Sequence, residues 1–298
     1  MENRRLERLG ELTVELVSGN ARARISTLGA ECVAWAVGGR ELLWGRATPH
    51  WDRTAPVLFP TVGWSRDGRV FVAGHSYAMP VHGFAAALQF KIVSHDAASA
   101  VFELVDSEAT RAQFPFPFVL RVCYGLEVEA LRVSFEVTNS GADTLPYACG
   151  FHPGFAWPFS GGERNGYSIE FAELENNVVP VITSGGLFSP ERRSVALQGR
   201  TLRLNDDTFQ HEALCFLYAR SKRIALVGPH GSVRMEADGF RHWALWSRPG
   251  APFVCLEAWS GHGDPENFEG DFADKPSMEH LVPGETRRHE IVLRWQAR

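Results

Sequence analysis

Apolar and polar residues alternate along most of this 298-residue chain, and a period of two limits the fold to β-structure. The alternation is clear in Leu12–Val17 and in Leu131–Val137, where one side of an extended strand is apolar. No long segment has the helical period of about 3.6 residues, and no βαβ alternation is present. The pattern therefore predicts an all-β fold, a large antiparallel β-sandwich. The other predicted strands are Ala100–Val105, Leu120–Leu126, Ser168–Phe171, Ile224–Val227, Ser232–Met235, Trp243–Trp246, Phe253–Glu257 and His289–Trp295.

Turn residues separate the predicted strands, as in Asn139–Asp143 and Gly228–Gly231. The composition does not shift along the chain, and no linker, repeat or low-complexity tract divides it, so we expect residues 1–298 to form a single domain. Two loop-rich stretches, residues 45–85 and 260–282, interrupt the strand rhythm. Long irregular segments of a compact domain often carry function, so both stretches are candidate site loops.

Charge and hydropathy exclude several classes of protein. The 30 Lys and Arg against 35 Asp and Glu give a net charge of −5, which makes nucleic acid an unlikely partner. No apolar run approaches the roughly 20 residues that span a bilayer, and Met1–Arg8 lacks the apolar core of a signal peptide. We therefore expect a soluble, cytoplasmic protein without a membrane partner. The five cysteines are widely spaced and form no C-x-x-C pair, which predicts buried reduced thiols.

Three titratable residues lie in unusual surroundings. Glu257 interrupts the apolar strand Phe253–Trp259, which favours a desolvated general base with a raised pKa over a strand-end residue facing solvent. His152 interrupts the aromatic run Pro146–Trp157, and His82 lies in a Pro-Val-His-Gly turn. Either histidine could be a general acid or a hydrogen-bonded core residue. Other histidines in polar or turn contexts are expected at the surface: His50, His75, His95, His230 and His289.

Four segments, taken in order, resemble those of the aldose 1-epimerase (galactose mutarotase) superfamily. They are Leu58–Gly63, Tyr77–Phe84, Gly150–Phe155 and Leu245–Gly261. Each is weak alone, but their order and spacing are fairly specific, and the resemblance spans nearly the whole chain. It is closest to the lactose-operon-associated and hexose-phosphate-epimerase-like branches. The resemblance implies a large twisted antiparallel β-sandwich, the galactose mutarotase-like supersandwich, with the sugar bound on a concave sheet face.

The resemblance also implies that the chain interconverts the α and β anomers of a free aldose without a cofactor or a metal. A base takes the proton of the C1 hydroxyl and an acid protonates the ring oxygen, so that the ring opens and recloses. By the resemblance, Glu257 is the base and His152 is the acid. His82 matches a second histidine that positions the substrate.

The resemblance also implies further substrate contacts. Arg66, with Arg69 as an alternative, matches an arginine that reaches the sugar, and Glu212 matches a carboxylate that binds sugar hydroxyls. For each of these charges an exposed position without a ligand role is an equally open interpretation. Trp259 lies two residues from Glu257 and so on the same strand face, which makes it a candidate sugar contact.

One departure from the family bears on the substrate. Relatives that act on sugar phosphates commonly have an arginine directly after His-Gly-Phe-Ala, where this chain has Ala86. A phosphate would lose a bidentate partner there, so a neutral aldose is favoured, although another basic residue could substitute. Aromatic faces can cover the apolar side of a pyranose, but most of those near these segments are expected in the core. They are Trp64, Phe84, Trp157, Trp246 and Trp259.

Other functions stay open at this point. A non-catalytic carbohydrate-binding protein would share the sandwich and the aromatics, and a hexose 6-phosphate epimerase would share the chemistry. A glycoside hydrolase would need a second buried carboxylate. His262, Asp264 and His280 could hold a metal, but clustered ligand patterns are absent, and a surface loop is the favoured interpretation.

Overall fold

The computed structural model describes residues 12–46 and 50–298, so the expectation that Met1–Arg8 is not a signal peptide lies outside the described residues. The strands of the first half are β1 (Thr13–Ser18), β2 (Ala21–Ser26), β3 (Cys32–Val37), β4 (Arg40–Glu41), β5 (Val57–Leu58), β6 (Arg69–Val72), β7 (His75–Ala78), β8 (Lys91–His95), β9 (Ser99–Val105), β10 (Phe118–Leu126), β11 (Ala130–Asn139), β12 (Leu145–Tyr147), β13 (Gly150–Phe151) and β14 (Gly154–Ala156). Those of the second half are β15 (Ser168–Phe171), β16 (Val178–Ile182), β17 (Phe188–Ser194), β18 (Leu197–Gln198), β19 (Thr201–Arg203), β20 (Leu214–Phe216), β21 (Arg223–Gly228), β22 (Gly231–Asp238), β23 (His242–Trp246), β24 (Phe253–Trp259), β25 (Glu279–Leu281) and β26 (Thr286–Ala297).

Helical structure is confined to short turns within the described residues. The α-helix α1 (Glu108–Arg111) has four residues. The 3-10 turns are Arg66–Gly68, Ala85–Ala87, Arg164–Gly166 and Phe272–Asp274. None of the helices in the described ranges has the length and apolarity needed to cross a bilayer.

The largest sheet has ten strands in the order β18-β19-β15-β21-β22-β26-β11-β10-β9-β8, and its neighbours pair antiparallel. Alternate residues of its strands are buried, as Ala100, Phe102 and Leu104 are in β9. Each of the ten strands predicted from alternation overlaps an observed strand. The predicted antiparallel all-β fold is therefore confirmed.

A second sheet, β20-β23-β24-β13-β5 with β14 also paired to β24, packs against the ten-stranded sheet. Phe151 of β13 contacts Phe135 of β11 with ring centroids 6.2 Å apart. Phe216 of β20 contacts Phe171 of β15 at 4.7 Å. These contacts place the hydrophobic core between the two sheets and make the fold a β-sandwich. The opposite face of the second sheet is left for loops and for a site.

The remaining strands form a four-stranded sheet, β1-β2-β3-β4, and three two-stranded ribbons, β6-β7, β12-β25 and β16-β17. Residues of the 45–85 stretch and of the β16–β17 ribbon lie over the outer face of the second sheet.

The cysteines are free thiols, buried at Cys32, Cys149, Cys215 and Cys255 and half-buried at Cys123. The prediction of buried reduced thiols is thus confirmed for four of them.

His289 does not lie at the surface, and that expectation was wrong. It is 1% exposed, and its Nε2 lies 2.8 Å from the Tyr147 hydroxyl while Nδ1 lies 2.8 Å from the Gly239 carbonyl oxygen. Its position in β26 explains the burial, because period two puts it on the same face as buried Ile291 and Leu293. Two partners satisfy the imidazole in the core.

In the 260–282 stretch, His262, Asp264 and His280 were expected in a surface loop. His262 and Asp264 are buried instead, and of the three only His280 is exposed. The Asp264 carboxylate lies 2.9 Å from the buried Lys275 ammonium, which donates to the Thr61 hydroxyl at 3.0 Å. A buried carboxylate is tolerated here because it has a cationic partner. In the described ranges no cluster of three or more His, Cys, Asp or Glu residues is arranged to hold a metal ion.

Candidate active site

The floor of the candidate site is the outer face of the second sheet. Glu257 of β24 lies opposite Ala244 of β23, and Trp259 lies opposite His242. Paired residues of an antiparallel sheet point to the same side, so these side chains share one face with Trp246. At about 3.3 Å per residue, the part of the floor that lines the cleft extends about 13 Å from Trp246 to Trp259. Glu257 faces the cleft at the midpoint of this distance.

A cleft of about 600 Å³ lies above this floor. Its walls come from the 45–85 stretch, from the connection between β13 and β14, and from the β16–β17 ribbon. The structure brings five of the predicted site residues together as lining residues: Glu257, His152, His82, Glu212 and Trp259. The 45–85 stretch does line the cleft, as expected of a site loop, whereas residues 260–282 do not.

Glu257 is 1% exposed, and two groups approach the same carboxylate oxygen. The Trp259 indole N–H donates to Oε2 at 3.0 Å, and His152 Nε2 lies 3.3 Å from Oε2. Burial raises the pKa of Glu257 well above its ordinary value of 4.5, and the hydrogen bond from Trp259 opposes that rise. The carboxylate is therefore a much stronger base than an exposed glutamate, as the apolar strand predicted.

His152 lies between β13 and β14, and its backbone N–H donates to the Pro56 carbonyl at 3.2 Å. Its ring packs between Trp51, at a centroid distance of 5.0 Å, and Trp246, at 5.8 Å. Nδ1 is buried and has no hydrogen-bond partner among the described residues. Burial, and then the neighbouring His82, lower the pKa of His152 well below 6.5. The imidazole thus releases a proton readily.

Glu257 and His152 form a coupled pair, because their reactive atoms are 3.3 Å apart in an apolar site. With two protons the pair is positively charged, and with none it is negatively charged. Burial disfavours both charged forms and favours one shared proton. The directions of the two pKa shifts place this proton on Glu257, and its transfer across the 3.3 Å contact to His152 gives a carboxylate that can accept a proton beside an imidazolium that can donate one.

His82 is fixed by its neighbours in a left-handed backbone conformation, φ 63°. Its backbone N–H donates to the Gly63 carbonyl at 2.9 Å, and its ring Nδ1 accepts from the Gly63 N–H at 3.1 Å. Neutral His82 must therefore carry its proton on Nε2. Burial and then Lys275 lower the pKa of His82 to about 4. At neutral pH the residue is a fixed hydrogen-bond donor, and not an acid.

The glycine after His82 allows the close approach that the sequence suggested. Gly83 has φ 75°, and a Cβ on it would lie 2.2 Å from the Phe59 carbonyl oxygen.

Glu212 also has a positive φ, 65°, and the Arg193 guanidinium donates to the carbonyls of Glu212 at 3.0 Å and Ala213 at 2.8 Å. The exposed Glu212 carboxylate has no hydrogen bond within the described chain. It is therefore available to sugar hydroxyls.

Arg66 and Arg69 do not line this cleft. They line a second cleft of about 350 Å³ beside the β6–β7 ribbon, where Arg66 Nη1 lies 3.0 Å from Glu269 Oε1. The arginines of the main cleft are Arg53 and Arg248, which the sequence analysis missed. Two sequence features could have found them. Arg53 belongs to the loop-rich 45–85 stretch, and Arg248 follows two residues after Trp246, the last residue of β23.

The five aromatic residues that the sequence analysis named divide between core and cleft, and three of them line the cleft, although most were expected in the core. Phe84 and Trp157 are core residues, 3% and 1% exposed, whereas Trp64 and Trp246 line the cleft. Trp51 is a further lining residue that the sequence analysis did not single out. Its indole packs on the His152 ring at a tilt of 32°, with the centroids 5.0 Å apart, and so holds that imidazole in place.

The buried Glu257 carboxylate should lower the free energy of unfolding, and Glu257→Gln should remove this destabilisation. Unfolded Glu257 loses its proton near pH 4.5, while folded Glu257 holds it to higher pH. Wild-type stability therefore falls by up to about 1.4 kcal/mol per pH unit as pH rises above 4.5, until the folded pKa is passed. Glutamine stays neutral and can still accept from Trp259. We expect a higher Tm for the variant in calorimetry at pH 5 and at pH 8, with a gain that grows as the pH rises above 4.5 until the folded pKa is passed. A variant less stable than wild type at the upper pH would contradict this.

Comparison with known proteins supports a carbohydrate-active site. The aldose 1-epimerase family model matches residues 13–294. Protein LacX from Lactococcus lactis subsp. lactis is 29% identical over 293 residues, which cover 93% of this chain and 97% of that protein. A galactose mutarotase related enzyme from Lactobacillus acidophilus superposes with a TM-score of 0.88 at 26% identity, covering 96% and 97% of the two chains.

A more distant relative shares the fold. Galactose 1-epimerase from Lactobacillus acidophilus has a TM-score of 0.71 at 13% identity, covering 98% of this chain and 97% of that chain. The likeness extends over both chains nearly end to end, so the sandwich described above is that of galactose mutarotase-like proteins.

Proposed function

Because this chain belongs to the aldose 1-epimerase family, we propose that it interconverts the α and β anomers of a free aldose. The observation that carries the proposal is the buried pair of Glu257 and His152, 3.3 Å apart on the cleft floor. A carbohydrate-binding protein would have no use for a carboxylate and an imidazole that share one proton in an apolar setting. The chemistry requires nothing beyond these two groups and a bound sugar.

Ring opening starts from the form of the pair in which the single proton lies on His152, which is reached from the resting form by transfer from Glu257 across their 3.3 Å contact. Glu257, as carboxylate, takes the proton of the C1 hydroxyl, and the electrons of that O–H bond form the C1 carbonyl. The C1–O5 bond breaks, and O5 receives the proton of His152 Nε2. The pair again holds one proton, now on Glu257. Rotation about C1–C2 presents the other carbonyl face, and reversal of both transfers closes the ring as the other anomer.

Two further groups hold the reacting atoms. The Trp259 indole N–H restrains Glu257 Oε2 at 3.0 Å, which fixes the direction of the base. His82 presents Nε2–H to the cleft from a ring whose centroid is 5.5 Å from that of His152. We assign His82 to the ring-oxygen side as a hydrogen-bond donor, and Glu212 to the other sugar hydroxyls.

The pH dependence should reflect the pair. With ordinary values the singly protonated form would exist between about pH 4.5 and 6.5. Burial disfavours the net positive charge of the doubly protonated pair and the net negative charge of the fully deprotonated pair, so it widens the pH range of the singly protonated form. We expect a broad plateau of kcat/KM around neutral pH, measured polarimetrically. A bell whose limbs lie less than about two pH units apart would contradict this assignment.

Polarimetry of freshly dissolved α-anomers tests the function. The protein should accelerate the approach to anomeric equilibrium for at least one aldose in a panel of glucose, galactose, xylose and arabinose, above the rate in buffer. A sample inactivated by heat serves as the control. Sugar binding by calorimetry without any acceleration would favour a binding protein instead.

One observation favours a sugar phosphate as a second candidate substrate. The Arg53 guanidinium donates to the Ala86 carbonyl at 3.0 Å, so an arginine reaches the position at which this chain lacks the family's arginine. Arg53 shares the buried Glu31 carboxylate with Arg46, at 3.5 Å and 2.8 Å, so one carboxylate faces two guanidinium groups. Arg248 lines the same cleft. A kcat/KM for glucose 6-phosphate above that for glucose, lost in Arg53→Gln, would make this the better assignment.

A further inference from the structure

The cleft is larger than one sugar ring requires. A hexopyranose packed at protein density occupies on the order of 200 Å³, so a single ring fills about one third of the 600 Å³ cleft. Glu257 lies at the midpoint of the floor, which leaves room toward each end. The end near Trp246 carries Arg53 and Arg248. The end near Trp259 has a different chemistry.

This second end, here called the outer end, is lined by Trp64 and by the turn of the β16–β17 ribbon, which contributes Thr183, Ser184, Gly186 and Phe188. Ring contacts place the outer end beside His242, at the Trp259 end of the floor. Phe188 packs on His262 at a centroid distance of 5.2 Å, and His262 packs on His242 at the same distance. The outer end and the arginine end therefore lie at opposite ends of the floor strands.

Trp64 presents an open aromatic face at the outer end. The backbone of Gly186 lies against the indole, since a Cβ on Gly186 would be 2.1 Å from Trp64 Cδ1, and its φ of 80° also favours glycine. Although one part of the indole is covered in this way, 48% of Trp64 remains exposed. The indole is a supported platform and not a loose surface side chain.

The platform adjoins the catalytic groups through the backbone. Gly63, the residue before Trp64, donates its N–H to His82 Nδ1 at 3.1 Å. A ligand that touches His82 Nε2 and a ligand on the Trp64 indole are thus neighbours. Ser184 adds an exposed hydroxyl without a hydrogen bond to the described chain, so the outer end offers an aromatic face beside a polar group, the combination that suits a pyranose.

We infer that the outer end is a second sugar subsite, and that the preferred substrate is a reducing disaccharide with its outer ring stacked on Trp64. The inference rests on the proposed function. Anomer interconversion requires a free C1 hydroxyl on the ring above Glu257. Whatever fills the outer end must therefore be attached through another hydroxyl of that ring. A second sugar joined by a glycosidic bond to O3, O4 or O6 meets this requirement.

The test compares reducing disaccharides with their monosaccharides in wild type and in Trp64→Ala. Polarimetry gives kcat/KM for glucose and galactose and for laminaribiose, cellobiose, maltose, melibiose and lactose. Titration calorimetry gives Kd for the same sugars, independently of turnover. We expect at least one disaccharide to exceed its reducing-end monosaccharide in kcat/KM, and in affinity, by fivefold or more in wild type. Trp64→Ala should bring that ratio close to one, and Trp64→Phe should restore part of it.

Phe71→Ala is the matched control, because Phe71 is 45% exposed and lines the second cleft. It should leave the ratio unchanged. Monosaccharides that turn over while every disaccharide is slower and binds no tighter would overturn the subsite and leave the proposed function intact. If no sugar turns over at all, the proposed function fails, and the Kd ratio in wild type and Trp64→Ala still decides the subsite.

Discussion

Glu257→Gln should lower kcat for anomer interconversion by about 10²- to 10⁴-fold, with KM changed little. Glutamine has the size of glutamate and can accept the Trp259 N–H, so the cleft keeps its shape. It cannot take the proton of the C1 hydroxyl, however, and the substrate then loses its base. The variant is also expected to be more stable than wild type, so a loss of activity could not be attributed to unfolding.

Glu269→Gln provides the control for this prediction. Glu269 is an exposed carboxylate that pairs with Arg66 outside the cleft, so its neutralisation should leave kcat and KM at wild-type values. Single-turnover and steady-state polarimetry on purified variants would measure both. Near-normal mutarotation by Glu257→Gln would refute its assignment as the base.

His152→Asn should cause a loss of similar size, about 10²- to 10⁴-fold in kcat, because the ring oxygen would leave without a proton. The asparagine side chain is smaller and leaves the Trp51 and Trp246 rings with a gap, so stability should fall as well. Activity is therefore compared per folded molecule, with the folded fraction taken from thermal unfolding. The pH profile of any residual activity should also lose the broad plateau of kcat/KM that the singly protonated pair of Glu257 and His152 gives.

His289→Asn is the matched control for His152. Both histidines are buried, but His289 lies in the core, where its Nε2 meets the Tyr147 hydroxyl. Its replacement should lower the free energy of unfolding by about 1–3 kcal/mol and leave kcat per folded molecule unchanged. Equal effects of the two substitutions on kcat would show that His152 acts through the fold alone.

Much of the fold could be predicted because alternation is a local signal. Strands such as Ser168–Phe171 were located to the residue, since one side faces the core and the other does not. Short strands buried on both faces, such as β13 and β20, have no such period and were missed. His289 was misplaced although its strand was found, because it was judged by its polar sequence neighbours and not by its face.

The site was predictable where a polar residue interrupts an apolar segment, as Glu257 and His152 do. Arg53 and Arg248 gave no such signal, since charged loop residues are usual at a surface and only the fold brings them to one cleft. Arg66 lies in a loop that the resemblance aligns with a sugar-binding arginine, but this loop turns toward Glu269. The single-domain organisation and the cytoplasmic location stay predictions.

The most direct test of the central claim is magnetisation exchange between the α and β anomeric proton resonances of a sugar at equilibrium. With catalytic amounts of the protein, the exchange rate should exceed that in buffer in proportion to protein concentration. The Glu257→Gln and His152→Asn variants should return it to nearly the buffer rate. An exchange rate equal to that in buffer, for every sugar that the wild-type protein is shown to bind, would contradict the account.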